Sequence, residues 1–99
     1  MSALAEDQPE ASVVIATRNR REDLARALIS AQGQTSRIEI IVLDDASQDG
    51  TSELVASEFP TVRYWRSDQP LGYIQLRNRA AEMARAPIVF SIDDDAEFS

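Results

Sequence analysis

Ser12-Val-Val-Ile-Ala-Thr17 is apolar and largely β-branched on both of its faces, the mark of a strand enclosed within a parallel sheet. Ile38-Glu-Ile-Ile-Val-Leu43 and Pro87-Ile-Val-Phe-Ser-Ile92 repeat the pattern. Parallel strands cannot be joined by hairpins, so each needs a crossover, and the intervening segments read as helices. Asn19 with Glu22 three places on resembles a capping box, and Leu24, Leu28 and Ile29 follow at helical spacing until Gly33 offers a stop. Asp49-Gly50-Thr51-Ser52 makes a turn and N-cap for a short helix carrying Leu54, Val55 and Phe59, which Pro60 ends. Thr61 to Arg66 alternates, with Val62 and Tyr64 on one face and Arg63 and Trp65 on the other, which suits an edge strand. A loop through Pro70-Leu71-Gly72 leads into a stripe of Leu76, Ala80 and Ala84. The order β-α-β-α-β-α-β predicts an α/β fold, an open, mostly parallel sheet with flanking helices and right-handed crossovers.

At 99 residues the chain has room for one core. It contains no Cys and no His, which excludes disulfides, thiol nucleophiles, zinc fingers, imidazole bases and every Ser-His-Asp arrangement. All ten cations are Arg, which excludes a Walker-A or Schiff-base lysine. With 17 carboxylates the net charge is −7, which disfavours nucleic acid as a partner. Residues 1–11 are expected to form a flexible tail, and no apolar run approaches the ~20 residues that cross a bilayer, so a cytoplasmic location is expected.

In open parallel α/β sheets, ligands bind outside the carboxyl ends of the strands, where strand order reverses. Thr17-Arg18-Asn19-Arg20, Asp44-Asp45 and Asp93-Asp94-Asp95 all stand at such ends, a combination suited to a phosphate ligand held partly through a divalent metal. Three successive carboxylates repel one another unless screened, and Mg²⁺ or Mn²⁺ would supply the screening cation; on an extended segment Asp93 and Asp95 share a side. Plainer readings exist for each: a solvated acidic loop for the triplet, an Asx turn for Asp44-Asp45, ordinary surface charges for Arg18, Arg20 and Arg21, and the wet face of the third helix for Arg77 and Arg79. Asp45-x-Ser47-x-Asp49-Gly50 copies the start of a calcium loop, but Ala56 stands where that loop needs a bidentate Glu. Gly33, Gly50 and Gly72 are too scattered for a dinucleotide fingerprint.

Val13-Val-Ile-Ala-Thr-Arg-Asn19, Ile40-Ile-Val-Leu-Asp-Asp-Ala-Ser-Gln-Asp-Gly-Thr51, Arg77-Asn78 and Ile92-Asp-Asp-Asp95, in this order and spacing, resemble the family 2 glycosyltransferases of the GT-A fold. The resemblance runs from about Ser12 to Ser99 and implies a domain over 12–99, the Rossmann-like half that binds a nucleotide-diphospho-sugar and ends just after a DxD motif. It implies that Thr17 and Asp45 contact the nucleoside, with Asp45 reading the base edge, and that Asn19, Arg20, Arg77 and Asp94 line the nucleotide. Asp95 and Asp93 would hold Mn²⁺ or Mg²⁺ against the diphosphate. The donor is expected to be a UDP-sugar and the acceptor a carbohydrate or lipid-linked hydroxyl. The base that deprotonates the acceptor is expected in a second half, so no catalytic residue is assigned within the chain. The alternative is a noncatalytic nucleotide or metal module acting through a partner chain. A phospho-receiver domain needs a lysine that is missing. A last strand left at the sheet edge leads to the expectation of self-association or of a missing carboxy-terminal half.

Overall fold

The computed structural model describes residues 9–33, 37–86 and 88–93. Among them the expected alternation is present: β1 (Ala11–Thr17), α1 (Arg21–Gln32), β2 (Ile38–Asp45), α2 (Thr51–Glu58), β3 (Arg63–Ser67), α3 (Tyr73–Met83) and β4 (Ile88–Asp93). The strands form one parallel sheet in the order β3-β2-β1-β4.

This order fixes where the helices lie. The steps β1 to β2 and β2 to β3 run in one direction, so right-handed crossovers place α1 and α2 on one face. The connection from β3 to β4 runs back past both central strands, and the same hand puts α3 on the opposite face. Side-chain alternation agrees. Val13, Ile15, Ile40 and Val42 meet Leu24, Ala27, Leu28 and Ala31 of α1 and Leu54 and Val55 of α2. Val14, Ile41 and Leu43 meet Leu76 and Ala80 of α3, with Trp65 and Met83 at the margin. Ile15, Leu24, Leu28, Ile41 and Leu43 are fully buried, which contributes about 1.5–3 kcal/mol each. Tyr64 packs with the first cluster and Trp65 with the second, as the alternation in β3 requires.

The sheet is tied at its amino-terminal end by Glu39, whose side chain is only 10% exposed. Ser12 Oγ donates to its Oε2 at 2.6 Å, the Arg63 guanidinium to Oε1 at 2.8 Å, and the Arg85 backbone N–H to Oε2 at 2.6 Å. Ser12 Oγ in turn accepts the Ala86 N–H at 3.2 Å. One carboxylate thus joins β1, β2, β3 and the segment that enters β4.

Several expectations need correction. Asn19 does not cap α1: the N-cap is Arg20, without a side-chain cap bond, and Asn19 sits at φ 52 in the left-handed region. Ile29, expected on the buried stripe, is 64% exposed, because Ala27 and Ala31 complete the face begun by Leu24 and Leu28. Gly33 does end α1 as expected, although at φ −77, a conformation open to any residue. Within the expected Asp49-Gly50-Thr51-Ser52 turn, the N-cap of α2 is Gly50, in the left-handed conformation. β2 runs on through Asp45, and β3 starts at Arg63 and takes in Ser67, so both carry polar residues into the rim. The expected tail overlaps β1 at Ala11, which pairs with Ile38, and the Glu10 N–H donates to the Arg37 carbonyl at 2.8 Å. Residues 1–8 of that tail, and Pro87, lie outside the described residues.

Candidate functional site

Strand order reverses between β1 and β4, so the crevice opens at the carboxyl ends of these two strands and of β2 beside them. The rim is built by three loops, and carboxylates at or after the end of β2 organise all three.

Asp44 and Asp45 are sequence neighbours that leave the strand on opposite faces. Asp44 is fully buried on the α1 and α2 side. Its Oδ1 accepts the Ser47 N–H at 3.0 Å, and its Oδ2 accepts the hydroxyl of Tyr64. Burial and the adjacent Asp44 carboxylate push the Tyr64 phenol well above its ordinary 10.0, which keeps it a donor. Asp45, 7% exposed, is turned toward α3. Its Oδ1 accepts the Leu71 N–H at 2.7 Å and its Oδ2 the Gly72 N–H at 3.2 Å. Ala46 between these acids and the loop has φ 60, the conformation that turns the chain back over the strand end.

The loop after β1 is stitched to the loop after β2. The Asn19 N–H donates to Ser47 Oγ at 2.8 Å, and Asn19 Oδ1 accepts the Gln48 N–H at 2.7 Å. The Arg21 N–H donates to Asp49 Oδ2 at 3.0 Å. Arg66, at the end of β3, donates to the Ser47 carbonyl at 3.1 Å and pairs with Asp68 at 2.7 Å. A cleft between these loops is lined by Asn19, Arg20, Arg21, Glu22, Asp23 and Asp49.

Of the residues singled out in the sequence, Thr17 is buried at the end of β1, with its backbone paired to Asp44. By alternation it shares the α1 and α2 side with Asp44, whereas Asp45 serves the other side, so these two do not meet on one face. Asn19 and Arg20 are exposed on the first loop, and Arg77 is exposed on α3 one residue after the buried Leu76. The backbone of Asp93 pairs beside Ala16 at the reversal point. Asp94 and Asp95 lie outside the described residues, and among the described residues no group of three or more acidic or other metal-ligating side chains is gathered. No described helix is long and apolar enough to cross a membrane.

The sequence reading missed the organising work of Ser47, Asp49 and Tyr64. The Asp45-x-Ser47-x-Asp49 spacing was the available signal. With calcium set aside, three short polar side chains at alternate positions after a strand are suited to accepting backbone N–H groups from neighbouring loops.

The sequence model described as glycosyl transferase family 2 matches residues 12–99. Polypeptide N-acetylgalactosaminyltransferase 16 of Homo sapiens is 34% identical over 95 residues, which cover 92% of this chain and 17% of that protein. Glycosyltransferase AglE of Haloferax volcanii is 32% identical over 94 residues, covering 88% of this chain and 31% of AglE. The chain therefore spans less than a third of the length of these curated relatives. Among solved structures, the mannosyltransferase PcManGT from Pyrobaculum calidifontis, in complex with GDP-Man and Mn²⁺, superimposes with a TM-score of 0.81 at 26% identity, over 92% of this chain and 29% of that one. TarS 1–349 of S. aureus in complex with UDP-GlcNAc gives 0.79 at 25% identity, over 87% and 26%.

Proposed function

Because this chain belongs to glycosyl transferase family 2, we propose that it forms the donor-binding part of a glycosyltransferase, holding a nucleotide-diphospho-sugar with a divalent ion for transfer to an acceptor hydroxyl. The observation that carries the reading is the rim at the reversal between β1 and β4, where Asp45, the Asn19-Arg20 loop and the strand leading into Asp93-Asp94-Asp95 come to one end of the sheet. Similarity to structures solved with GDP-Man and Mn²⁺ and with UDP-GlcNAc supports it.

In this reading Asp45 accepts a hydrogen bond from the base edge, and Thr17 and Asn19 border the nucleoside. Arg20, Arg77 and Asp94 line the rest of the nucleotide. Asp95 and Asp93 hold Mn²⁺ or Mg²⁺, hard cations suited to carboxylate oxygens. When bound, such an ion supplies charge stabilisation to the departing nucleoside diphosphate. The arginines steady the diphosphate as the anomeric C–O bond breaks. The base for the acceptor hydroxyl is assigned to residues outside this stretch, and the acceptor is a carbohydrate or lipid-linked alcohol.

Titration calorimetry with UDP and GDP, with and without Mn²⁺, tests the reading. Metal-dependent binding of one nucleotide, with the metal dependence lost in Asp95→Asn, is expected. An Asp95→Asn chain that binds metal and nucleotide as the parent does overturns the metal assignment.

A further inference from the structure

The amino terminus of α3 has no cap of its own. Its N-cap, Gly72, offers no side chain, and the first turn carries no acidic residue to meet the positive end of the helix. Gly72 also holds φ 86 and ψ 163, a combination accessible essentially only to glycine. What fixes this turn is Asp45 of β2, whose two oxygens take the N–H groups of Leu71 and Gly72 at 2.7 and 3.2 Å. Leu71 is further seated against the core on the α3 side. The first helical bond follows at once, from the Leu76 N–H to the Gly72 carbonyl at 3.2 Å.

We propose that Asp45 is a positioning residue for the start of α3, and through that helix for Arg77, so that base recognition and the placing of this arginine share one carboxylate. The proposal rests on the donor-binding reading and deepens it. Each carboxylate oxygen spends one lone pair on the loop and keeps another, so a ligand N–H can join the existing pair without displacing it. Arg77 is the fifth residue of α3, a little over one turn from the clamped end, so a frayed start shifts the arginine relative to the sheet. A ligand that donates to Asp45 holds the carboxylate in place and so steadies α3, and by reciprocity a steady α3 favours the ligand.

A simple base contact and a clamp give different results with inorganic pyrophosphate, which has no base. In the 99-residue chain, Asp45→Ala is expected to speed amide exchange at Leu71, Gly72 and Leu76 about tenfold, while amides of β1 keep their protection. The same variant is expected to bind pyrophosphate with Mn²⁺ several-fold more weakly. Gly72→Ala supplies a second route that leaves Asp45 intact. A Cβ there meets nothing within 4 Å, so the change acts through backbone strain alone. It is expected to open the same amides, with the double variant little worse than either single one. Unchanged exchange at Leu76 in Asp45→Ala overturns the clamp. Faster exchange with unaltered pyrophosphate affinity overturns the link to Arg77. A parent chain that binds neither pyrophosphate nor nucleotide overturns the donor reading, and the exchange data still decide the clamp.

Discussion

The backbone N–H of Arg21 donates to Oδ2 of Asp49 at 3.0 Å, so α1 starts on a carboxylate supplied by the loop after β2. The other oxygen of Asp49 accepts the Thr51 N–H at 3.3 Å, together with the Thr51 hydroxyl, at the start of α2. One side chain therefore anchors the first turns of two helices. Partial burial pushes the Asp49 carboxyl upward, but the Thr51 hydroxyl and the Arg21 and Thr51 amides outweigh it and hold the group below its ordinary 3.8. Asp49→Ala is expected to cost about 1–2 kcal/mol, read from urea denaturation at neutral pH. Its stabilisation is full above the unfolded value and fades as pH falls through the lower folded one, so parent and variant curves converge in acid.

Glu39 gives a larger effect at the other end of the sheet. Burial opposes its ionisation, and the Ser12 hydroxyl, the Arg85 amide and Arg63 outweigh burial to hold it below its ordinary 4.5. Glu39→Ala strands three donors at once and is expected to cost about 2–4 kcal/mol. The parent chain is expected to lose this contribution as pH falls below about 4.5, with Glu39→Gln showing a flatter acid limb in denaturant melts.

Tyr64→Phe keeps the ring and removes the donor to buried Asp44, at an expected cost of about 1–2 kcal/mol. The phenol, raised by burial and by Asp44, contributes stability that is whole below 10.0 and is lost as pH rises through the folded value. Ultraviolet titration of the native chain is expected to show a component from Tyr64 that resists ionisation beyond 10.0, and Tyr64→Phe to abolish it.

Gly50 sits at φ 87, and an added Cβ would come 3.2 Å from the Arg21 guanidinium. The end of a long side chain yields easily, so the backbone decides: Gly50→Ala is expected to cost about 1–2 kcal/mol through the left-handed conformation. Gly50→Asn, which tolerates that region better, is expected to cost less, a ranking that thermal melts can read.

How far the sequence foretells this molecule depends on the range of the forces involved. β1 and β2 are legible because both faces of each are apolar, a local property, and the handedness of crossovers then orders the layers. The stripe on α1 is only partly legible: Leu24 and Leu28 mark it, but the close approach that lets Ala27 and Ala31 finish the face, leaving Ile29 outside, depends on the packed sheet. At the rim, period-two alternation is enough to part Asp44 from Asp45. Their partners, Tyr64 at 20 residues' separation and Leu71 at 26, are brought there by tertiary structure, which no spacing rule in the sequence encodes.

The place of β4 beside β1 also bears on how the molecule comes into being. The bond from the Ala86 N–H to Ser12 Oγ joins residues 74 apart, and the whole β1–β4 ladder closes loops of similar length. Such distant pairing loses chain entropy before contacts reward it, so it forms late. During synthesis β1, β2 and β3 can pair while β4 is still unmade. The strand that carries the Asp93-Asp94-Asp95 end then joins after these three, and the crevice between β1 and β4 comes into existence only when it does. A chain caught midway would display a carboxylate rim with one bank missing and an open β1 edge, which is the state most exposed to mispairing with a neighbour.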